Sequence, residues 1–325
     1  MVNLQTRGLS RNTKRHRLNT NLQRNWPLYT MVLPGFVLIL IFSYIPMYGI
    51  VMAFQNFKPG LGFFHSPWAQ PWYGHFARMF RDVYFNRIMQ NTLLLGVYSL
   101  LWSFPAPILL ALMFNEIKHK GYKRVSQTIS YMPYFLSTVI VIGIMKLLFA
   151  TEGPIISVAS GLGIEMENLF MEPKAFRSLY IGSAIWTGVG YNSIIYLAAI
   201  SGINPELYEA AIIDGGNRLQ QVWYITIPSI MPTVIILLIF AVSGIVGNDY
   251  QKILLMYNPA TYKTADVIGT YVYRMGISGD AGTGGTGILN QSYAAAVGLF
   301  QSVFSFVLLV LTNQFARRVG ETSLW

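Results

Sequence analysis

Six apolar windows constrain this 325-residue chain more than any other feature of its sequence. A transmembrane helix needs about 20 predominantly apolar residues, and each window is about that long. The windows are residues 31–54, 92–114, 129–150, 179–202, 229–247 and 293–316. The alternating pattern of an outer-membrane barrel occurs nowhere at length. The sequence therefore predicts an all-α membrane protein with six transmembrane helices.

The composition supports this class and excludes several others. Only 11% of the residues are charged, against roughly 25% in soluble proteins. The chain has no cysteine, and its four histidines match no metal-ligand spacing, so neither a disulfide framework nor a metal site is expected. The net charge of +10 is spread along the chain, which argues against a nucleic-acid partner.

The distribution of charge predicts the orientation in the bilayer. The tail 1–30 is basic and has no acid, and placing it in the cytoplasm puts 115–128, 203–228 and 317–325 there as well. These four segments hold 13 of the 23 basic and five of the 13 acidic residues, whereas the opposite, external loops, at about 55–91, 151–178 and 248–292, hold nine and eight. By the positive-inside rule both termini are cytoplasmic. The first window lacks a cleavage pattern and is expected to be a retained anchor.

The cytoplasmic segment 204–228 has a pattern that predicts a short helix followed by a turn. Asn204 can cap the helix and Pro205 suits its first position. Gly215-Gly216 should stop it, because glycine adopts the left-handed conformation without strain. Leu207, Ala210, Ala211 and Asp214 should then share one face. A second short turn, with Leu219, Val222 and Trp223 on one side, is expected to end at Pro228.

This segment resembles the signature EAA-x3-G-x9-I-x-L-P of the membrane subunits of binding-protein-dependent ABC importers. The chain reads Glu209-Ala210-Ala211, then Gly215, Ile225 and Pro228, with Ile227 in place of the leucine. The resemblance implies a type I ABC importer permease fold, similar to that of maltose importers. It also implies that an ATPase subunit docks on this loop, through Glu209, Ala210, Ala211, Asp214, Gly215, Ile225 and Pro228.

The resemblance extends over nearly the whole chain. The run DVYFNRIMQNT resembles the start of the conserved core of sugar-importer permeases. The runs SIIYLAAISGINPELYEAAIIDGGNR, YQKILLMYNPATYKTADVIGTYVYR and AVGLFQSVFSFVLLVLTNQFARRVGETSLW are similar to permeases of the polygalacturonan, aldouronate and alginate oligosaccharide branch. This implies import of uronate-containing oligosaccharides across a bacterial cytoplasmic (inner) membrane. The implied partners are a second, homologous permease in a heterodimer, two ATPase subunits and an extracytoplasmic solute-binding protein. ATP and Mg belong to the ATPase subunits, so no cofactor is expected in this chain.

The implied domain organisation has a permease core between two tails. Its parts are a basic tail (1–30), a first transmembrane helix (31–54), an external loop (55–87), a five-helix core (88–316) containing the coupling loop 204–228, and a cytoplasmic tail (317–325).

Polar side chains in or beside the apolar windows are candidates for the substrate path, since such groups are costly in a bilayer. They are Lys146, Trp186, Tyr191, Asn192, Asn248 and Asp249. Gly190 could allow a hydrated ligand to approach closely. Asp249 would repel a uronate, so it should be paired or point elsewhere. The alternative for these residues is hydrogen bonding with helices of the partner permease.

Other functions find less support in the sequence. Gly282, Gly284 and Gly287 match a dinucleotide fingerprint, but outside a strand–helix context, and no phosphate-binding P-loop occurs. A membrane-embedded enzyme would need clustered acids or histidines, so catalysis by this chain is not expected. The alternative function is an ion-gradient-driven secondary transporter of small solutes, which predicts an inverted repeat that the two halves do not display.

Overall fold

The computed structural model describes residues 24–164, 168–279 and 289–319. Its helices are α1 (Arg24–Phe54), α2 (Gly62–His65), α3 (Gly74–Arg81), α4 (Val83–Trp102), α5 (Pro105–Glu116), α6 (Lys120–Tyr131), α7 (Thr138–Leu148), α8 (Pro154–Gly161), α9 (Phe176–Ser201), α10 (Pro205–Ile213), α11 (Arg218–Gln221), α12 (Ile227–Ser243), α13 (Tyr250–Met256), α14 (Tyr262–Ala265), α15 (Ile268–Tyr273) and α16 (Gln291–Val319). Short 3₁₀ or π segments follow several of them, and one β-bridge pairs Gln55 with Trp68.

The chain divides into two compact units, residues 1–51 and residues 52–325. The described part of the first unit is most of α1. Helices α2 to α16 all belong to the second unit, which also contains every cavity and buried cluster discussed below.

Four helices in the described residues are long and apolar enough to cross a bilayer: α1, the combined α4 and α5, the continuous helix Arg218–Val246, and α16. Counting the bent pair α6 and α7 as one span gives five. The fourth predicted window corresponds to α9, whose 26 residues suffice in length but which is not in this apolar set. The chain is thus a multi-pass helical membrane protein, while six spans and cytoplasmic termini stay predictions.

The third predicted window, 129–150, is not one straight helix. Its two helical parts meet at an angle of 100°. Pro133 lies in the 3₁₀ turn Met132–Phe135 that ends the first part, where proline cannot supply a backbone donor to continue the α-helix. Ser137 is extended and its Oγ accepts a hydrogen bond from the N–H of Ile140, 3.3 Å away. This N-cap starts a new helix in a new direction.

Two glycines lie where helices cross at close range. A Cβ added at Gly190 in α9 would lie 2.0 Å from the carbonyl oxygen of Ser130 in α6. A Cβ added at Gly96 in α4 would lie equally close to the carbonyl oxygen of Ile245. Small residues at such crossings let backbones approach each other, as is typical of membrane helix bundles.

The segment after α12 contains a buried ion pair, and side chains of α4 hydrogen-bond to it. Arg274 donates to Asp266 Oδ1 over 2.7 Å, and both side chains are almost fully buried. Tyr84 of α4 donates to the other carboxylate oxygen over 2.7 Å, and Asn91 of α4 donates to the Asp266 backbone carbonyl. The sequence predicts residues 248–292 as an external loop. The described part of this segment instead includes short helices that are hydrogen-bonded to the bundle.

Candidate functional site

Helix α10 begins and ends where the sequence predicts. The Oδ1 atom of Asn204 accepts a hydrogen bond from the N–H of Glu206 over 3.1 Å, and Pro205 is the first helical residue. Gly215 has φ +79°, and the N–H of Gly216 donates to the Ala211 carbonyl over 2.7 Å. The predicted cap and glycine stop are therefore confirmed.

Helix α10 carries several apolar side chains, yet most of its surface is exposed. None of its residues is buried. Ile213 is 85% exposed, and Leu207 and Ile212 are also exposed. Only Tyr208 and Ala211 are half-buried, so the predicted face of Leu207, Ala210, Ala211 and Asp214 is largely free. Outside a bilayer, an exposed apolar patch of this kind is typical of an interaction surface.

The segment after α10 differs from the prediction, because it does not end at Pro228. The helix that starts at Arg218 passes through a π turn, Val222–Thr226, directly into α12. Pro228 lies in the first turn of α12, directly after the π turn Val222–Thr226. Ile225 is half-buried and Pro228 is exposed on this continuous helix.

A side-chain contact that the sequence did not reveal joins α10 to this helix. The Tyr208 hydroxyl lies 2.9 Å from Oγ1 of buried Thr226. Gln221 donates to the Gly216 carbonyl over 3.1 Å, and Arg218 lies 3.8 Å from Glu116 of α5. These contacts connect α10 to the helix Arg218–Val246, and that helix to the end of α5.

Three of the six candidate substrate-path residues meet at one cavity. A cavity of about 370 Å³ lies between α4, α9 and α12 and is lined by Asn192, Asn248 and Asp249. Hydroxyl-bearing side chains share its wall: Ser99, Ser103, Tyr180 and Tyr196. Its size lies in the range of ligand pockets, and its polar groups suit hydrogen bonding to a hydroxylated ligand.

Two of the polar side chains that line this cavity, Asn248 and Asp249, are held by hydrogen bonds. Asn248 donates to the Thr92 carbonyl over 3.0 Å. Asp249 caps α13 by accepting from the N–H of Lys252 over 3.1 Å, and its own N–H donates to the Tyr180 hydroxyl. One oxygen of the Asp249 carboxylate thus caps α13, while Asp249 also lines the cavity, so its pairing or turning away from an acidic sugar stays a prediction.

The other candidates lie elsewhere. Trp186 lines a separate, apolar cavity of about 350 Å³ beside α7. Tyr191 stacks on Tyr134 with ring centroids 3.8 Å apart, and Lys146 is exposed in the last turn of α7. The close approach predicted at Gly190 is to the backbone of α6, so this glycine serves helix packing.

A buried lysine beside the cavity was also missed by sequence reasoning. Lys252 donates to the Tyr180 carbonyl over 3.1 Å, and its Nζ lies 4.6 Å from the centre of the Tyr180 ring. Burial lowers the pKa of Lys252 to about 8, an effect that Asp249 partly opposes. Its partner is a backbone carbonyl 72 residues away, which only the fold could bring near.

The family model of the binding-protein-dependent transport system inner membrane component matches residues 93–321. The chain belongs to that family. The match covers more than half of the sequence and includes α10, so the resemblance inferred from the EAA segment is confirmed. The family is that of a transport permease component.

Curated relatives show which permeases the chain resembles. It is 37% identical over 313 residues to the polygalacturonan/rhamnogalacturonan transport system permease protein YteP of Bacillus subtilis (strain 168), covering 96% of this chain and 94% of that one. It is 36% identical over 305 residues to protein LplB of the same organism, covering 94% and 92%. The chain is thus similar to sugar permeases along nearly its full length.

The fold has solved counterparts. The permease matches a chain of a bacterial alginate ABC transporter in complex with an alginate pentasaccharide-bound periplasmic protein, with TM-score 0.84 and 40% identity over 95% of this chain and 100% of that one. A second structure, of a bacterial ABC transporter involved in alginate import, gives TM-score 0.83 and 41% identity over 93% and 99%. The chain is therefore a sugar ABC importer permease with the type I fold.

Some predicted features fall outside the described residues. They are most of the basic tail, the run with Gly282, Gly284 and Gly287, and the last residues of the C-terminal tail.

Proposed function

We propose that this permease couples ATP hydrolysis in two separate ATPase subunits to import of uronate-containing oligosaccharides across the bacterial cytoplasmic membrane. The single observation that carries the coupling part is α10, a helix with no buried residue that is hydrogen-bonded to a membrane-crossing helix. An ATPase that closes against α10 would move Arg218–Val246 and shift the bundle between two access states.

The relatives support the proposed cargo. A named relative transports polygalacturonan and rhamnogalacturonan, and the solved transporter carries alginate with its periplasmic protein; these are acidic polysaccharides or their fragments. The permease would pair with a second, homologous permease and receive sugar from a solute-binding protein. Both termini would face the cytoplasm, and ATP and Mg would bind only to the ATPase subunits.

We propose that the cavity lined by Asn192 and Asn248 forms part of the sugar path. Amide side chains offer both donors and acceptors to hydroxyl groups, and the cavity lies between α4, α9 and α12, which a tilting bundle would rearrange.

The test is sugar uptake by the full importer in proteoliposomes, with Gly215→Val and Glu209→Lys as the variants. Valine is strained at φ +79° whatever space surrounds it, and the charge reversal alters the proposed docking face. We expect uptake to be lost in both variants while sugar affinity of the binding protein is unchanged.

Gly163→Val and Glu152→Lys are the matched controls. Gly163 has the same φ of +79° in open space, and Glu152 is exposed, but both lie in the predicted external segment. Normal ATP-dependent uptake in the Gly215 and Glu209 variants would contradict the coupling role of α10. Uptake that persists without ATP would contradict the proposed function altogether.

A further inference from the structure

A second cavity, of about 570 Å³, has a different chemistry from the first. It lies between α4, the N-terminal end of α9 and the segment before α9, and its wall includes Lys174, Arg177, Tyr98 and Trp102. Among the described residues that line it, two are cationic, two are large aromatics and none is acidic. We call it the basic cleft.

Arg177 is held in position but is not fully paired. Its guanidinium donates to Asn91 Oδ1 over 3.1 Å, and Asn91 is itself buried and fixed by the backbone carbonyls of Lys263 and Asp266. Within the described residues, the buried Nε of Arg177 has no hydrogen-bond partner. That Nε atom is enclosed by protein, so an anion in the cleft would be met by the terminal amino groups of the guanidinium, which carry several N–H donors.

The positive charge of the basic cleft is not balanced by an ion pair. The ion pairs found in the described residues join Arg218 to Glu116 and Arg274 to Asp266. The nearest acid in sequence, Glu172, accepts a hydrogen bond from the backbone N–H of Lys174 and does not line the cleft. The cleft therefore offers two cations to an anion that enters it.

The aromatic side of the cleft is accessible. Trp102 is 66% exposed and Tyr98 is 38% exposed, although both lie on a membrane-crossing helix. A flat aromatic face beside a planar guanidinium can hold a ring while the guanidinium binds a carboxylate attached to it. A uronate residue combines these two parts, a sugar ring and a carboxylate.

We propose that the basic cleft binds a uronate residue of the cargo, with Arg177 and Lys174 on its carboxylate and Trp102 against its ring. This inference rests on the proposed function and adds to it the residues that read the charge of the sugar. A phosphate of an anionic lipid offers a similar charge, but it has no ring to occupy the aromatic side.

The test measures transport of trigalacturonate by the full importer in proteoliposomes. We expect Arg177→Gln to raise the KM for uptake about tenfold or more, the order expected for a lost charge-assisted hydrogen bond. Lys174→Gln and Trp102→Ala should each raise it severalfold, and Arg177→Lys should recover part of the loss. ATP hydrolysis stimulated by the binding protein should continue in all four variants.

Arg81→Gln is the matched control, because Arg81 is exposed, lies in a predicted external segment and does not line the cleft. An unchanged KM in the Arg177, Lys174 and Trp102 variants would overturn the proposal. If Arg177→Gln fails to fold, the Lys174 and Trp102 variants decide, since Trp102 is mostly exposed and its truncation leaves the bundle packed.

Vesicles of different lipid composition distinguish a sugar carboxylate from a lipid phosphate as the anion in the basic cleft. The defect should be the same in vesicles of phosphatidylcholine alone and in vesicles containing phosphatidylglycerol. A defect seen only with phosphatidylglycerol would assign the cleft to lipid phosphate and overturn the sugar proposal. Failure of the wild-type importer to take up trigalacturonate would instead contradict the proposed acidic cargo.

Discussion

At the scale of single residues, the most informative groups are polar side chains whose partners are backbone atoms far away in sequence. Asn248 donates to the Thr92 carbonyl and Lys252 to the Tyr180 carbonyl. Asparagine and lysine could be recognised as unusual near an apolar window, but their partners could not. A carbonyl group has no residue identity that a sequence pattern can exploit.

Lys252 gives a pH-dependent prediction. Because its folded pKa is about 8 and its ordinary value is 10.5, the folded chain releases the proton first, and folded stability rises as the pH increases from about 8 towards 10.5. Lys252→Met removes this gain. Between pH 7 and about 9.5 we expect the melting temperature of the detergent-solubilised wild type to rise relative to that of the variant. Lys58→Met, at an exposed position, is the control; equal pH dependence in both variants would contradict the argument.

At the scale of helices, local signals fixed α10 and long-range contacts shaped its surroundings. Its start and stop are set by Asn204, Pro205 and Gly215, which act within one helical turn. The next helix starts at Arg218 and continues through a π turn and Pro228 into α12, so the predicted stop at Pro228 was wrong. Proline occurs both just after a helix and in the first turn of one, so the residue type could not distinguish the two outcomes.

The crossing of α6 and α9 gives a prediction about packing. Gly190→Ala places a methyl group 2.0 Å from the Ser130 carbonyl oxygen, so the helices must separate. We expect this overpacking to cost about 3 kcal/mol, the upper end of the usual range, because the obstacle is backbone. This exceeds the roughly 1 kcal/mol that alanine gains over glycine in a helix, so the variant should be destabilised. Gly182→Ala in the same helix, where nothing lies within 4 Å, should be neutral or stabilising. Chemical denaturation in detergent measures both, and equal midpoints would refute the close crossing.

At the scale of the whole molecule, the number of times the chain crosses the bilayer depends on α9. The structure supports four apolar helices, or five with the bent pair. The fourth predicted span, α9, is long enough to cross, but its polar groups reduce its hydropathy. Packing of α9 against α5, with Tyr196 and Ile200 buried beside Ala111, offers it a protein environment in place of lipid.

The chain contains no cysteine, which makes it a clean background for mapping topology. We expect Lys123→Cys, between the second and third predicted spans, to react with a membrane-impermeant maleimide only after the membrane is opened. Glu152→Cys, between the third and fourth, should react in intact cells or spheroplasts. Labelling of both from the same side would contradict the six-span topology.

The sequence by itself determined the membrane class, the family and the ends of α10. These properties follow from hydropathy summed over windows and from capping residues that act locally. Only the tertiary structure decided that Asn192 meets Asn248 in one cavity, that Trp186 and Tyr191 face elsewhere, and that Arg177 and Trp102 form the basic cleft. Those groupings depend on the rotation and crossing of helices, which are set by close contacts such as Gly190 on Ser130. Such contacts join residues far apart in the chain, and no local pattern encodes them.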